Sequence, residues 1–315
     1  MTADLYTVPP TIEDGGTTLL PWLREMRDEH PVWRDAYGIW HVFRYADVSA
    51  LAYPLPVTVI AELLGLPISD RELFRTWADR LFHSDMMDPD DPELPRKIDD
   101  ATADMLAYLR EHCADRRVHP REDLISRPAA VEADGERLTD EEVVNFSIVL
   151  LIAGHITTTA LLGNTVLCLD EQSQVWAQLR ADRSLVEPTI EEVLRYRSSF
   201  TQVGRVTTAE TELSGQVIPA DVVVTPWLLS ANRDEREFPD PDRFDIHRSG
   251  KHHLAFGYGI HFCIGQLLAR VEGRVAVGVL LDRYAEIHLA PGVPVEFYGR
   301  GISAARNVPV LVRQA

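Results

Sequence analysis

The chain has 315 residues, of which 45% are hydrophobic and 25% are charged, and its formal net charge is -18. This composition is typical of an ordered globular protein with one large core or two smaller ones. The acidic balance argues against nucleic acid and anionic lipid as partners, because both carry negative charge. Three cysteines that lie far apart, Cys113, Cys168 and Cys263, argue against a disulfide framework.

Residues 1–16 are polar and lack the basic and apolar regions of a signal peptide. No apolar run reaches the roughly eighteen residues that a membrane span requires. The sequence therefore predicts a cytoplasmic protein without a membrane segment.

The first part of the chain predicts helices separated by a hairpin and loops. Val32–Phe43 alternates as a hairpin does, with a turn near Gly38, and the acidic stretch Ser84–Pro92 is a loop. Apolar periodicity predicts helices over Thr17–His30, from Ala46 to Ala52, and over Val57–Leu66, Asp70–Phe82 and Glu93–Arg117.

The second part begins with a helix start at Thr139, where Glu142 three residues later completes a capping box. The helix that follows is predicted to run from Asp140 past Leu169. Further helices are predicted over Glu171–Arg180, Glu187–Arg197 and His261–Tyr284. A hairpin is predicted over Val203–Val224, with its turn at Ser214-Gly215, and strands are predicted within Ile287–Val312. Helix dominates, and no βαβ rhythm appears.

The segment around Cys263 reads Phe256-Gly257-Tyr258-Gly259-Ile260-His261-Phe262-Cys263-Ile264-Gly265. The glycines permit tight turns and close approach of the backbone to a flat group. A helix that begins just after Cys263 directs N–H groups at the sulfur, which stabilises a thiolate. The alternative interpretation is a glycine-rich turn before a helix, with a buried free cysteine.

This segment resembles the haem-binding loop of the cytochrome P450 family, Phe-Gly-x-Gly-x-x-x-Cys-x-Gly, at every fixed position. The resemblance implies that Cys263 ligates the iron of haem b, with Phe256, Gly257 and Gly265 beside the cofactor. Two further segments resemble those that hold the loop in the family: Glu192 and Arg195 in one, and Arg243, expected to complete their ion-pair network, in the other. Arg205 and His261 match positions that contact haem propionates.

The segment Ala153-Gly154-His155-Ile156-Thr157-Thr158 resembles the kink in the long central helix on the opposite side of the haem. Ala153 and Gly154 are then expected beside the cofactor. Thr157 is expected to bind oxygen and relay protons through its hydroxyl. The family usually carries an acid where this chain has Ile156, so the proton source is expected elsewhere, with His155 or water as the candidates, unless proton delivery is weak. The alternative for this segment is a threonine cluster packed inside a helix.

The resemblance also implies a missing block. Bacterial relatives are longer, and the shortfall falls at the join Leu51-Ala52-Tyr53-Pro54. The segments between the second and fifth helices of the family are then absent, and their loss is expected to expose apolar surface and to open one haem edge.

The fold class predicted is mainly α, a multihelical cytochrome P450-type fold with small β sheets, as one domain over residues 1–315. The function implied is a haem-thiolate monooxygenase that inserts one oxygen atom from dioxygen into a small organic substrate. Analogy at the level of the fold suggests a role in secondary metabolism. Electrons would come from NAD(P)H through ferredoxin reductase and ferredoxin, and the protein would be a monomer. Two alternatives stay open: a peroxide-using or atypical oxidase, and a degenerate scaffold that binds a partner.

Overall fold

The computed structural model describes residues 32–34, 39–42, 54–82, 93–130, 132–133, 136–249, 252–297, 302–305 and 307–314. Five predicted features lie outside these residues. They are the helices over Thr17–His30 and Ala46–Ala52, the hairpin turn near Gly38, the loop Ser84–Pro92, and most of the join at Leu51-Ala52-Tyr53-Pro54.

Helices form most of the described structure. The α-helices are α1 Pro54–Leu64, α2 Arg71–Phe82, α3 Leu94–Val118, α4 Ser126–Ala130, α5 Asp140–Glu171, α6 Ser173–Ala181, α7 Val186–Tyr196, α8 Leu228–Ala231 and α9 Gln266–Arg283. Short 3-10 helices cover Ile68–Asp70, Arg183–Leu185 and Gly259–His261.

The long helix α5 organises the core. Its capping box is formed as predicted: the backbone N–H of Glu142 donates to the Thr139 hydroxyl at 3.2 Å, and the N–H of Thr139 donates to the Glu142 carboxylate at 2.8 Å. The first half of α5 packs with α1, α2 and α3, and the second half with α6, α7, α9 and the C-terminal strands. Among the described residues, α5 alone is long and apolar enough to cross a membrane, and half of its most apolar window is buried.

The strands form small antiparallel sheets at the edges. They are β1 Val32–Arg34, β2 Ile39–Val42, β3 Glu132–Ala133, β4 Glu136–Arg137, β5 Arg205–Val206, β6 Thr211–Leu213, β7 Gln216–Ile218, β8 Val223–Val224, β9 Tyr284–Leu289 and β10 Val310–Gln314. The largest sheet has the order β1-β2-β10-β9, so the C-terminal strand joins the N-terminal hairpin to the end of α9.

The predicted mainly α fold is confirmed, and several predicted boundaries shift by a few residues. The helix predicted to begin at His261 begins at Gln266, because Gly259–His261 forms a 3-10 turn before Cys263. The predicted turn at Ser214-Gly215 is confirmed: both residues have positive φ, and they join β6 to β7. The short elements α4, α8, β3 and β4 were missed by periodicity, which needs longer segments.

Candidate functional site

One cavity of about 250 Å³ lies between the middle of α5 and the loop that precedes α9. Both segments singled out from the sequence therefore face the same space. The lining residues are Ala153, Gly154, Thr157, Thr158 and Leu161 of α5; Leu194, Ser199, Phe200, Val203, Arg205 and Leu228; Ala255, Phe256, Gly257, His261, Cys263 and Gly265 of the loop; and Leu268 and Ala269 of α9. We call this space the site cavity.

The loop before Cys263 is shaped by two left-handed glycines. Gly257 has φ 72° and Gly259 has φ 75°, values that side chains rarely tolerate. The turn is closed by the backbone N–H of Cys263, which donates to the carbonyl of Phe256 at 3.0 Å. The loop therefore presents Cys263 to the site cavity on a thin backbone.

The Cys263 thiol is partly buried, and its surroundings act on its pKa in opposite directions. Burial raises the pKa most strongly, whereas the backbone N–H of Gly265 and the charge of Arg270 lower it. Gly265 is also the N-cap of α9, so the positive end of that helix dipole lies beside the sulfur. These donors favour the thiolate once a cation or metal compensates for burial.

A buried cluster under the loop fixes Phe256. The guanidinium of Arg270 lies 4.6 Å from the centre of the Phe256 ring and donates to Glu191 at 2.6 Å. His253 lies 3.2 Å from the same carboxylate. Burial opposes ionisation of Glu191, but hydrogen bonds from His253 and Arg270 outweigh it and lower its pKa to about 2.

The predicted pair of Glu192 and Arg195 is formed and fully buried, with the guanidinium donating to the carboxylate at 2.8 Å. The prediction for Arg243 is wrong. Its side chain points to solvent and approaches Asp245 at 3.4 Å, and only its carbonyl joins the network, as an acceptor from Arg195 at 3.2 Å. The side chain that reaches Glu192 is that of Arg248, at 3.3 Å.

On the opposite wall, Thr157 and Gly154 have well-defined neighbours. The Thr157 hydroxyl donates to the carbonyl of Ala153 at 2.8 Å, and Ser199 donates to the Thr157 carbonyl at 2.9 Å. Gly154 lines the cavity, but its main steric constraint is the packing of α1. An added Cβ there would lie 2.7 Å from Cγ1 of Ile60.

His155 and Ile156 are not among the residues that line the site cavity. His155 is buried, and its Nδ1 lies 2.7 Å from the carbonyl of Leu151, one turn earlier. Ile156 packs in a small apolar cluster with Ala160, Ile302 and others. Side chains two residues apart in a helix point in directions about 160° apart around its axis. His155 therefore points away from the cavity that Thr157 lines.

The two predicted cationic residues lie at the rim. Arg205 and His261 both line the site cavity, and both are exposed. Sequence reasoning missed Leu268 and Ala269 of α9, although their spacing from Gly265 places them on one helix face with it.

The donor set of this cavity fits haem. It offers one soft sulfur donor on one wall, mostly apolar side chains around it, and cationic groups only at the rim. The porphyrin supplies the remaining nitrogens for the iron, so one protein ligand suffices.

Comparison with known proteins decides the family, because the model of the cytochrome P450 family matches residues 72–297. The chain belongs to the cytochrome P450 family. It is 39% identical to an erythromycin C-12 hydroxylase of Saccharopolyspora erythraea, with 94% of each chain covered. It is 37% identical to the cyclomarin C epoxidase CymV of Salinispora arenicola, over 98% of this chain and 99% of that one.

Solved structures agree. The ligand-free structure of cytochrome P450 TbtJ1 matches with a TM-score of 0.76 and 43% identity, over 98% of this chain and all of that one. An EryK mutant in complex with erythromycin B matches with a TM-score of 0.79 and 38% identity. This P450 is therefore a haem-thiolate monooxygenase, with haem b as cofactor and electrons supplied from NAD(P)H through redox partners.

The chain lacks an internal segment that these relatives have. The alignment with the erythromycin hydroxylase extends over 375 positions, although the chain has only 315 residues. Apolar side chains are exposed along α9. Leu267, Val271, Val275 and Val279 are spaced four residues apart, so they form one stripe along the helix, and each is at least 42% exposed. We call these four residues the α9 stripe.

Proposed function

We propose that this P450 inserts one oxygen atom from dioxygen into a small organic substrate of secondary metabolism, and that the Cys263 thiolate would hold the haem iron. The observation that carries the proposal is that Cys263 and Thr157 face the same cavity from opposite walls. Residues 1–315 then form a single haem domain.

The residues around Cys263 hold and tune the ligand. Haem, when bound, supplies the activation of dioxygen, and the protein positions it and sets its electronics. The N–H of Gly265 and the N-terminus of α9 stabilise negative charge on the sulfur. Phe256 is held by Arg270 beside the loop, while Gly257 keeps the backbone thin.

At the rim, Arg205 and His261 are assigned to the haem propionates, because each carries N–H donors at an exposed edge of the site cavity. Ala153 and Gly154 line the opposite wall, and their small size would leave room there for haem.

Thr157 is assigned to proton transfer. Its hydroxyl hydrogen is donated to Ala153 in the resting arrangement, so its lone pairs remain available to accept a hydrogen bond from water or substrate in the cavity. Rotation of the hydroxyl then lets it donate into the cavity. His155 was proposed for the same task, but its placement outside the lining leaves Thr157 as the direct contact.

The substrate is proposed to be a largely apolar molecule. Phe200, Val203, Leu228 and Leu161 line the cavity beside the assigned haem position. Two relatives are named for acting on erythromycin and on cyclomarin C, which supports a natural product as substrate. The protein is proposed to act as a cytoplasmic monomer with ferredoxin and ferredoxin reductase as partners, and without nucleic acid or membrane.

A peroxide-driven oxidation is the second candidate, because Ile156 cannot carry a proton where the family usually has an acid. The two candidates differ in the source of the inserted oxygen. The test gives the haem-loaded protein NAD(P)H, ferredoxin reductase and ferredoxin under isotopically labelled dioxygen, with a panel of apolar natural products that includes erythromycin B and cyclomarin C.

The proposal predicts one labelled oxygen atom in the product and the other in water. Unlabelled product formed with hydrogen peroxide alone, with no product from the reductase system, would favour the second candidate. Absence of product under both conditions, in protein whose spectrum shows bound haem, would contradict the proposal.

A further inference from the structure

Arg270 on α9 is a charged residue that contacts the Cys263 loop from outside the site cavity. Its guanidinium lies 4.6 Å from the centre of the Phe256 ring, and the Phe256 carbonyl accepts a hydrogen bond from the backbone N–H of Cys263 at 3.0 Å. Burial raises the pKa of the Cys263 thiol, and the charge of Arg270 acts against that rise. A cation is therefore held close enough to the sulfur to act on charge there.

The position of this cation is fixed by two helices. Nε and Nη2 of Arg270 donate to the two carboxylate oxygens of Glu191 on α7 at 2.6 and 3.0 Å, a bidentate pair. Arg270 also donates to the side chain of Gln266, one turn earlier on α9. The side chains of Arg270 and Glu191 are only 25% and 16% exposed. Solvent therefore screens their charges less than those of a surface pair.

His253 completes this group as a neutral hydrogen-bond donor. The backbone N–H of Ala255 donates to Nδ1 of His253 at 3.3 Å, so Nε2 carries the ring proton. Nε2 lies 3.2 Å from the Glu191 carboxylate and donates to it. We call Arg270, Glu191 and His253 the loop cluster. It holds one positive and one negative charge, so removal of either charge leaves the other without compensation.

We propose that the pair of Glu191 and Arg270 sets the reduction potential of the haem. Arg270 is the positioning residue whose charge favours the reduced iron, and Glu191 limits that effect. This inference rests on the proposed ligation of the haem iron by the Cys263 thiolate. Reduction adds one electron, supplied by the redox partners, and a cation near the thiolate stabilises the added negative charge. No bond is formed or broken in the loop cluster.

A second ion pair between the same two helices provides a matched control. Arg274 on α9 donates to Glu187 on α7 at 2.9 Å, and these side chains are 42% and 62% exposed. Arg274 lies one turn further along α9 from Cys263 than Arg270 does. The same two charges are therefore present there, but further from the sulfur and in contact with solvent.

Glu272, two residues after Arg270, determines the pH of the measurement. Only 4% of Glu272 is exposed, and neither of its carboxylate oxygens has a hydrogen-bond partner among the described residues. Burial raises the pKa of Glu272 to about 7. At about pH 6 this acid is therefore largely protonated and neutral. The charges that the variants change are then those of the two ion pairs.

The experiment measures the reduction potential of the haem-loaded protein by spectroelectrochemical titration, without substrate, at about pH 6. Glu191→Gln keeps an acceptor for Arg270 but removes the negative charge. We expect it to raise the potential, so that the ratio of ferrous to ferric haem at a fixed potential rises about threefold or more. Arg270→Gln should lower the potential by a smaller amount, because Glu191 can take up a proton whereas a guanidinium cannot lose one.

Three further variants separate charge from packing. Arg270→Lys keeps the charge and should stay close to wild type, and the controls Glu187→Gln and Arg274→Gln should leave the potential unchanged. A purely structural role would shift Glu191→Gln and Arg270→Gln in the same direction, and that result would overturn the inference. An equal shift in the controls would overturn it as well. If Glu191→Gln does not retain haem, a potential in Arg270→Gln that is not below that of Arg270→Lys overturns it.

Infrared spectra of the reduced, CO-bound protein provide a second reading. A less electron-donating thiolate leaves less electron density for the bound CO, so the C–O stretching frequency should rise in Glu191→Gln and fall in Arg270→Gln. Shifts of the potential without matching shifts of this frequency would contradict the role of the pair. None of these readings requires turnover. A wild type that binds haem through a thiolate but forms no product therefore contradicts the proposed reaction alone.

Discussion

The guanidinium of Arg248 lies 3.3 Å from the carboxylate of Glu192, and this contact holds the loop segment against α7. Arg248 is 7% exposed and Glu192 is fully buried. Arg248 also donates to the carbonyls of Asp240 and Arg243 at 3.0 Å. It therefore ties the irregular stretch before the Cys263 loop to the core.

Replacing Arg248 by alanine should destabilise the fold. Glu192 keeps Arg195 but loses one buried donor, and the carbonyls of Pro239, Asp240 and Arg243 each lose one donor, so we expect a cost of about 2–3 kcal/mol in the free energy of unfolding. Denaturant unfolding measures it. The matched control is Arg243→Ala, whose side chain is 68% exposed and should cost less than about 1 kcal/mol. A larger cost for Arg243→Ala than for Arg248→Ala would contradict the assignment.

Gly154→Ala should destabilise the contact between α1 and α5. The new methyl group would lie 2.7 Å from Cγ1 of Ile60, so a backbone or side chain must move, at a cost of about 1–3 kcal/mol. Thermal unfolding of the variant measures this cost.

Two variants check the cause. In Gly163→Ala, on the same helix, the methyl group would meet Val308 at an ordinary 3.4 Å, so this change should be neutral or stabilising. Ile60→Ala combined with Gly154→Ala should show a favourable coupling between the two sites, because the clashing atoms are gone. Strict additivity would show that Ile60 is not the constraint.

The raised pKa of Glu272 predicts how stability depends on pH. The folded protein holds this proton up to about pH 7, whereas the unfolded chain releases it near 4.5. The stabilising contribution of the protonated acid is therefore complete below 4.5 and is lost as pH rises through 7. Glu272→Gln should match wild type at low pH and be more stable at pH 8, by about 3 kcal/mol. Equal stability of the two proteins across that range would contradict the prediction.

Because the α9 stripe is exposed, we expect that one of its residues can be made polar without a loss of folding stability. Val275→Lys should leave the free energy of unfolding within about 0.5 kcal/mol of wild type and reduce binding of an apolar fluorescent dye. Val277→Lys is the control on the same helix. Val277 is 1% exposed, so a buried charge there should unfold the protein or cost several kcal/mol. A large loss of stability in Val275→Lys would show that the stripe is covered.

Residues that belong to one contiguous motif could be predicted from the sequence. Prediction failed where the fold determines which of two nearby residues makes a contact. Cys263 and Thr157 were predicted from local patterns, and both face the site cavity. Arg243 lies within the recognised segment and Arg248 follows it, and which of the two reaches Glu192 depends on how an irregular loop folds back on α7. His155 follows the kink glycine directly, but helix geometry directs it away from Thr157.

The burial of Glu272 could not be predicted from the sequence. A single glutamate in a helix usually lies on a solvated face, so no sequence pattern selects it. Its four-residue spacing from Leu268 would have placed it on the inner face, but only once Leu268 itself was known to line the cavity. Burial, and the pKa that follows from it, depends on how α5 and α9 pack together.

The central claim is that the Cys263 thiolate ligates the haem iron, and the reduced, CO-bound absorption spectrum tests it most directly. Haem-supplied wild type, Cys113→Ala and Cys168→Ala should show the Soret band of a thiolate-ligated haem, since the Cys113 and Cys168 side chains are buried in the apolar cores. Cys263→Ala should lack that band while remaining folded. A thiolate-type band in Cys263→Ala, or none in folded, haem-supplied wild type, would contradict the account.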